Sequence, residues 1–343
     1  MKPVTIAQIG IGNAHSVCNY PSLVRQRQYF DVKGFCLTEN DEPKYKADRA
    51  LYDVAPKLTL EAILNDPTIE AVSIEAEEMF GAKYARMAAE AGKHIFMDKP
   101  GGTNHAEFAE ALRLIQSKGL KLHLGYMYRN NPSYCEALKL IESGAIGQVY
   151  AVEAHMNCLH NAVQLKWMNH FKGGQMYFLG CHLVDIIYRV MGEPEAVLPM
   201  NACTGIDGET SEDYGMAAFK YPTGYSFATS CGREPGGFMR RQVVITGSKG
   251  TIEINPIEHY LPNENAIKNM LSTMRVTYAD DPKGWHARGE ARVSEPYNRY
   301  DGMTADFARE VRGEQVNPYS IDYEIRLHEL VMRACGSGDA LKL

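Results

Sequence analysis

Val4-Thr5-Ile6-Ala7-Gln8-Ile9-Gly10-Ile11-Gly12-Asn13-Ala14-His15 is the stretch on which the fold turns. Its first six residues, mostly apolar and partly β-branched, read as a strand that two glycines bring to an end. A helix should follow, to about Arg27. A strand that runs through Gly-x-Gly into a helix is the core of a dinucleotide-binding fingerprint. The first glycine permits the tight bend, the second lets the backbone approach a pyrophosphate, and a third lets helix and strand pack closely. The helix N-terminus then turns free N–H groups and a positive dipole end toward the phosphates. Gly10 and Gly12 hold the first two places, Asn13 and Ala14 continue the turn, and His15 stands at the third.

Outward from this turn, short apolar runs alternate with helical stretches. Strands are expected at 32–37, 71–74, 94–97 and 120–124, with helices at 82–91 and 104–118. Such alternation implies parallel βαβ units, whose ligands bind beyond the carboxyl ends of the strands. Near Gly125 the pattern changes. A helix at 133–142 precedes strand-like runs at 149–156, 196–202, 214–220, 224–231 and 241–246, and a turn at Gly247-Ser248-Lys249-Gly250 leads to a hairpin arm at 251–254. One helix, 182–191, interrupts them, and 303–311 and 323–341 are helical again. Residues 255–300 read as a long loop excursion. The fold class is therefore α/β: a doubly wound parallel sheet over 1–125, then an α+β domain with an open, mostly antiparallel sheet over 126–343. The last helix is expected to pack back on the first domain.

The 343 residues, 45% hydrophobic and 23% charged, are enough for two cores without disulfides or structural metals. A net charge of −6 argues against a nucleic-acid partner, which wants a basic surface. No segment approaches the roughly 20 apolar residues of a membrane span. The eight cysteines form no Cys-x-x-Cys pair and most lie in apolar or small-residue runs, so they read as reduced, buried thiols. With a strand starting at Val4 there is no room for a signal peptide, and the cytoplasm is the expected compartment.

An acid at the end of the second strand usually takes the ribose hydroxyls. Leu37 occupies that place, and Glu39, two residues on, is the candidate. No arginine follows, which favours NAD, with NADP left open. Glu75, Glu77 and Glu78 end the strand 71–74. Three carboxylates there would repel a pyrophosphate. They read either as a site for hydroxyls or a cation, or as an acidic loop turned to solvent.

Five further segments carry a family resemblance. Ala91-Gly92-Lys93-His94-Ile95-Phe96-Met97-Asp98-Lys99-Pro100 resembles the Gfo/Idh/MocA signature (glucose–fructose oxidoreductase, inositol 2-dehydrogenase), with Asp98 for the usual Glu of Glu-Lys-Pro. Gly125-Tyr126-Met127-Tyr128-Arg129-Asn130-Asn131-Pro132 resembles its Gly-Tyr-x-x-Arg-x-Asn-Pro link. Ile141 to Val149 resembles the opening of its second domain. Gly173-Gly174 with Leu179-Gly180-Cys181-His182-Leu183-Val184-Asp185 resembles its active-site helix, and Gly247 to Thr251 a late hairpin. The five appear in order over most of the chain.

The resemblance implies a Rossmann domain, a nicotinamide cofactor and a carbohydrate-like substrate. It implies that Lys99 and His182 are the catalytic pair, with Gly10, Gly12, Asn13, Ala14, Glu39, Glu75, Asp98, Pro100 and Arg129 around the cofactor. Tyr126, His155, Trp167, Phe178 and Asp185 would line the substrate, although Asp185 reads more as structural. Arg129 is expected to reach the cofactor or a substrate anion. Two departures matter. The family's active-site Asp, four residues before the His, falls on Phe178, and its Thr-Pro-Asn after the strand 71–74 becomes Ala76-Glu77-Glu78. A lysine beside an imidazole still offers acid–base chemistry, provided the two converge on one cleft.

Glu153 and His155, two apart on a strand, share a face, and with His182 they are weak candidates for a metal site; the expectation is no metal. Arg233, Arg240 and Arg241 read as surface or interface. The resemblance also implies a homodimer or homotetramer formed through the C-terminal sheet. The leading functional reading is a nicotinamide-dependent oxidoreductase of a sugar, polyol or sugar derivative. The alternatives are a glycoside-cleaving or lyase enzyme of the same fold, NAD-assisted or metal-assisted, and a non-catalytic dinucleotide or sugar sensor.

Overall fold

The computed structural model describes residues 2–263, 266–279 and 289–337. It divides into two compact units, one of residues 1–126 and 300–328, the other of 127–299 and 329–343.

In the first unit the chain runs β1 (Val4–Ile9), α1 (Ser16–Arg25), β2 (Phe30–Cys36), α2 (Glu42–Ala47), α3 (Arg49–Tyr52), α4 (Leu60–Asn65), β3 (Ala71–Ile74), α5 (Gly81–Glu90), β4 (His94–Met97), α6 (His105–Ser117) and β5 (Leu122–Leu124). The five strands form one parallel sheet in the order β2-β1-β3-β4-β5. Every residue of β1 and β3 is buried, as central strands covered on both faces require. Helix starts follow local chemistry: the Asn104 side chain accepts the Glu107 N–H ahead of α6. Because β1 is followed outward by β2 on one side and β3 on the other, the strand order reverses between β1 and β3. The loops after these two strands leave the same, carboxyl edge, at the switch point where such sheets take ligands.

The second unit adds α7 (Pro132–Glu142), β6 (Val149–His155), α8 (Ala162–Trp167), a π-helical turn Met176–Gly180, α9 (Cys181–Met191), β7 (Ala196–Pro199), β8 (Tyr214–Tyr221), β9 (Gly224–Cys231), β10 (Gln242–Gly247), β11 (Gly250–Ile254), β12 (His259–Tyr260), β13 (Met270–Leu271), β14 (Thr273–Tyr278) and β15 (Glu290–Val293). Asn131 caps α7 by accepting the Tyr134 N–H, with Pro132 in the first turn. An eight-stranded sheet runs β15-β14-β11-β10-β6-β9-β8-β7, antiparallel except for β6 beside β9. Burial alternates along β10 and β11, so one face is covered and the other open. α9 packs against β6 and β9.

The excursion expected at 255–300 is in part sheet. β14 and β15 extend the antiparallel ladder, β14 with alternating burial and β15 as an exposed edge strand. The chain ends in α10 (Asp301–Val311) and α11 (Ile321–Ala334). α10 lies on the first unit's sheet, Phe307 meeting Phe96 at 5.9 Å. Of the expected tail helix, 338–341 lies outside the described residues.

Candidate functional site

In the first unit the glycine turn is built from three sides. Gly10 adopts φ +80°, and a Cβ there would lie 2.7 Å from the backbone of Ala76. A Cβ on Gly12 would lie 2.7 Å from Glu77 Cγ and 2.9 Å from Asp41 Oδ1. Both glycines are thus required by the chain's own packing. Gly10→Ala should destabilise the unit by about 1–3 kcal/mol, from the positive φ alone. A change below about 0.5 kcal/mol in chemical denaturation would show that the turn tolerates a Cβ.

The remaining contacts come from side chains. Asp41 Oδ2 accepts the Ile11 N–H at 3.0 Å and the Thr38 N–H at 2.7 Å. Burial raises the Asp41 carboxyl above its ordinary value, despite these bonds. Lys44 Nζ reaches the Asn13 carbonyl, and burial lowers its pKa although Glu75 pulls the other way. Ala14 is exposed at the tip of the turn. His15 explains its own presence at the third glycine position: its Nδ1 lies 2.9 Å from Asp98 Oδ2 at the end of β4. Asp98 Oδ1 accepts the Lys99 N–H at 2.7 Å. Lys99 is 1% exposed, and it joins a buried Pro100 through a cis peptide.

The acidic segment does not turn to solvent. Glu75 and Glu78 are buried, and only Glu77 is partly exposed. Asn19 Nδ2 donates to Glu75 Oε1 at 2.8 Å and Asn13 Nδ2 to Glu78 Oε1 at 3.2 Å. The other oxygen of each carboxyl has no hydrogen-bond partner among the described residues. Burial, then the Asp98 charge, pushes Glu75 well above the carboxylate range. Burial pushes Glu78 up to about 7 against the pull of Lys99. The repulsion expected of three carboxylates is therefore weakened by retained protons. Glu39 accepts hydrogen bonds from Lys83 and Tyr84 of α5. Burial raises its pKa, but these partners more than offset that and hold the carboxylate below its usual range. A positive-φ glycine turn, a cation at its carbonyl, a helix N-terminus and buried carboxyls of raised pKa fit a nicotinamide dinucleotide.

In the second unit His182 opens α9 directly after the π-helical turn, 1% exposed, with its ring 5.3 Å from that of Tyr128. Such turns recur at functional sites because they rotate side chains off the regular helical track. Phe178, in the family's Asp position, stands edge-on to Trp167 at 5.2 Å. Tyr177 stacks on Phe171 at 4.7 Å, so an aromatic wall replaces the missing carboxylate.

Arg129 and Asp185 neutralise each other through paired bonds of 2.9 and 2.8 Å, both side chains buried. Arg241, expected at the surface, is buried. It donates to Glu258 at 2.6 Å and lies 3.8 Å over the Phe238 ring. Arg299 donates to the other Glu258 oxygen at 2.9 Å, and Tyr128 to the first at 3.0 Å. His155 lies on the open face of β6 with Glu153, near Arg240, and burial lowers its pKa. Val152 and Ala154 are the buried residues of that strand, on the face toward α9, so strand alternation separates Glu153 and His155 from His182. His155, expected to line the substrate, lies on the face of β6 opposite the one that packs against α9. Among the described residues no group of three or more His, Cys, Asp or Glu is placed to hold a metal. No helix of the described residues is long and apolar enough to cross a membrane.

Sequence reasoning missed Asp41, Lys44 and Glu258 as structural partners. Asp41 and Lys44 follow a loop whose path is set by tertiary packing, and Glu258 lies in the stretch read as loop.

A parallel sheet with a glycine turn at its switch point defines a Rossmann dinucleotide-binding unit. Residues 4–126 match the oxidoreductase family with an NAD-binding Rossmann fold, and 134–253 match the GFO/IDH/MocA C-terminal domain. The chain belongs to the Gfo/Idh/MocA family of oxidoreductases. It is 27% identical to an uncharacterized oxidoreductase (C115.03) of Schizosaccharomyces pombe over 65% of its own length and 61% of that protein's. It is 28% identical to the scyllo-inositol 2-dehydrogenase (NADP(+)) IolW of Bacillus subtilis over 57% of this chain and 53% of that one. The chain thus spans little more than half the length of these curated relatives. Levoglucosan dehydrogenase, solved with NADH and levoglucosan, superposes with a TM-score of 0.77 at 18% identity over 97% of both chains. That likeness is one of fold.

Proposed function

We propose that the chain is a cytoplasmic NAD-dependent oxidoreductase of a sugar, polyol or sugar derivative, in which Lys99 and His182 carry the proton of the reacting hydroxyl. The observation that carries this reading is the shared carboxyl edge of the first unit's sheet. The glycine turn after β1 and the buried Lys99 after β4 both open there. A relative that acts on an inositol supports the substrate class. Gly10, Gly12, Asn13 and Ala14 would hold the pyrophosphate, with Lys44 as counter-charge. Glu39 would take the adenosine ribose, and Glu75, Asp98 and Pro100 would border the nicotinamide half. An ionised Glu39 disfavours a 2′-phosphate, so NAD is preferred over NADP. When bound, the nicotinamide supplies the hydride chemistry.

The chain supplies positioning and proton transfer. Lys99 takes or returns the hydroxyl proton, and His182, held over Tyr128, shares that duty. Trp167, Phe178 and Tyr126 offer apolar surface to a sugar ring. The open face of the eight-stranded sheet, where Tyr214 and Tyr225 are exposed, joins copies into a homodimer or homotetramer.

Titration with NAD and NADP, followed by a screen of polyols and sugars at 340 nm, tests the proposal. Expected are binding of NAD tighter than NADP and substrate-dependent formation of NADH. Binding without NADH formation on any polyol or sugar would overturn the oxidoreductase reading in favour of a glycoside-cleaving or lyase enzyme or a sensor, and absence of binding would overturn the cofactor site as well.

A further inference from the structure

We infer that Glu78 makes dinucleotide binding proton-linked: its protonated carboxyl donates a hydrogen bond to the bound dinucleotide, and its ionised form repels the ligand's phosphates. The inference rests on the proposed cofactor site of the first unit and concerns a residue that replaces the family's uncharged Thr-Pro-Asn segment.

After β3 the chain makes one short turn, Glu78–Phe80, before α5. That turn folds the Glu78 side chain inward, 3% exposed, toward the glycine turn. Asn13, inside the glycine turn, holds Oε1 through Nδ2 and is itself fixed by its N–H on the Glu75 carbonyl at 2.9 Å. Oε2 is buried with no hydrogen-bond partner among the described residues. An ionised carboxylate in that place would keep one oxygen without a donor, which is costly to bury. A protonated carboxyl has the opposite need, an acceptor for its O–H. The oxygens of a dinucleotide, brought to the same turn, are such acceptors.

The charges around Glu78 are set by four neighbouring elements. Lys99 and Asp98 face it from the end of β4, Glu75 from the end of β3 and Glu77 from its own loop. Lys44 faces it from α2. His15 is paired to Asp98, and Asp41 is bonded to the turn's own N–H groups. Burial sets the free protein's Glu78 at about 7, in the range where a physiological change of pH alters its charge. A pyrophosphate adds negative charge and favours the protonated form further.

The direction follows from this. Only the fraction of molecules with Glu78 protonated binds well, so apparent affinity is flat below pH 7 and falls above it. From pH 6 to pH 8 the Kd for NAD should rise about tenfold, as the protonated fraction drops from about nine-tenths to about one-tenth. The probe is NAD itself, because the 2′-phosphate of NADP titrates in this range. In the full-length Glu78→Gln protein, which mimics the neutral acid, the Kd should change less than about twofold over the same range. At pH 8 that variant should bind more tightly than the wild type.

Calorimetry of wild-type protein with NAD at pH 8, in two buffers of different ionisation heat, should show uptake of close to one proton. The variant should show close to none. Equal pH slopes in both proteins, or no proton uptake by the wild type, would overturn the role of Glu78 while leaving the cofactor site standing. Failure of both proteins to bind NAD at any pH would overturn the cofactor site itself. Should Glu78→Gln not fold, the proton uptake of the wild type decides the matter alone.

Discussion

Lys99→Met is expected to lower kcat by about 10²–10⁴ while changing the Kd for NAD by less than about fivefold. The lysine side chain is 1% exposed and lies immediately after β4, at the carboxyl edge that also carries the glycine turn. Methionine keeps the length and apolar stem of the side chain but removes the ammonium. The loss should therefore fall on proton transfer, with positioning of the strand end left intact, because the Asp98 bond is to the Lys99 backbone N–H. Lys99→Arg is the stricter control. Arginine restores the positive charge beside Glu78 but holds its proton at any working pH, so it should not restore turnover. If it did, charge alone would be at work and the proton-transfer role would be wrong.

His182→Gln supplies the second arm of the same measurement. Groups that serve one proton are not additive in their loss. The double variant Lys99→Met/His182→Gln should be slower than Lys99→Met by well under the full His182→Gln effect. Fully additive losses would assign His182 to binding alone. An increase in KM with unchanged kcat in His182→Gln would point the same way.

Much of the first unit is legible in residues 4–124 because its strands are short apolar runs bounded by glycine, proline or polar turns. The strand 71–74, for instance, coincides with four buried residues, Ala71 to Ile74. The glycine turn too is readable, since Gly10 adopts a backbone conformation that side chains disfavour. What escaped is what tertiary packing decides. Glu75 and Glu78 look like a solvated acidic run until the glycine turn is laid over them and burial raises both carboxyls above their ordinary range. His15 looks like a broken fingerprint until Asp98 comes within 2.9 Å. The two substitutions answer each other across strands whose pairing no local pattern announces. Arg241 illustrates the same limit from the other side: a charged residue at a strand start reads as surface, and only the carboxylate of the distant Glu258 makes its burial possible.

Glu258→Ala should destabilise the second unit by about 3–5 kcal/mol, the cost of leaving buried charge without its partner. Glu258 is 0% exposed and accepts from Arg241, Arg299 and Tyr128 at 2.6, 2.9 and 3.0 Å. Its removal leaves two guanidinium groups, 5% and 12% exposed, facing one another without the carboxylate between them. By contrast Glu136→Ala, which breaks the exposed Glu136–Arg292 pair with both side chains 43% exposed, should cost under about 1 kcal/mol. At roughly 2–4 °C per kcal/mol the two variants should differ in Tm by several degrees at least.

Burial raises the Glu258 carboxyl, but Arg299 and Arg241 outweigh it and hold the group below its ordinary value of 4.5. A depressed folded-state pKa means that the stabilisation is fully present above that ordinary value and is lost as pH falls through the folded-state value. The gap between wild type and Glu258→Ala should accordingly close in acid. The double variant Glu258→Met/Arg241→Met, which replaces one buried pair with apolar volume, should recover part of the loss. Chemical denaturation at pH 7 and at pH 3 measures all of this. Equal stability of Glu258→Ala and wild type at pH 7 would mean that the carboxylate does not anchor the two arginines, and with them the Tyr128 ring that lies 5.3 Å from His182.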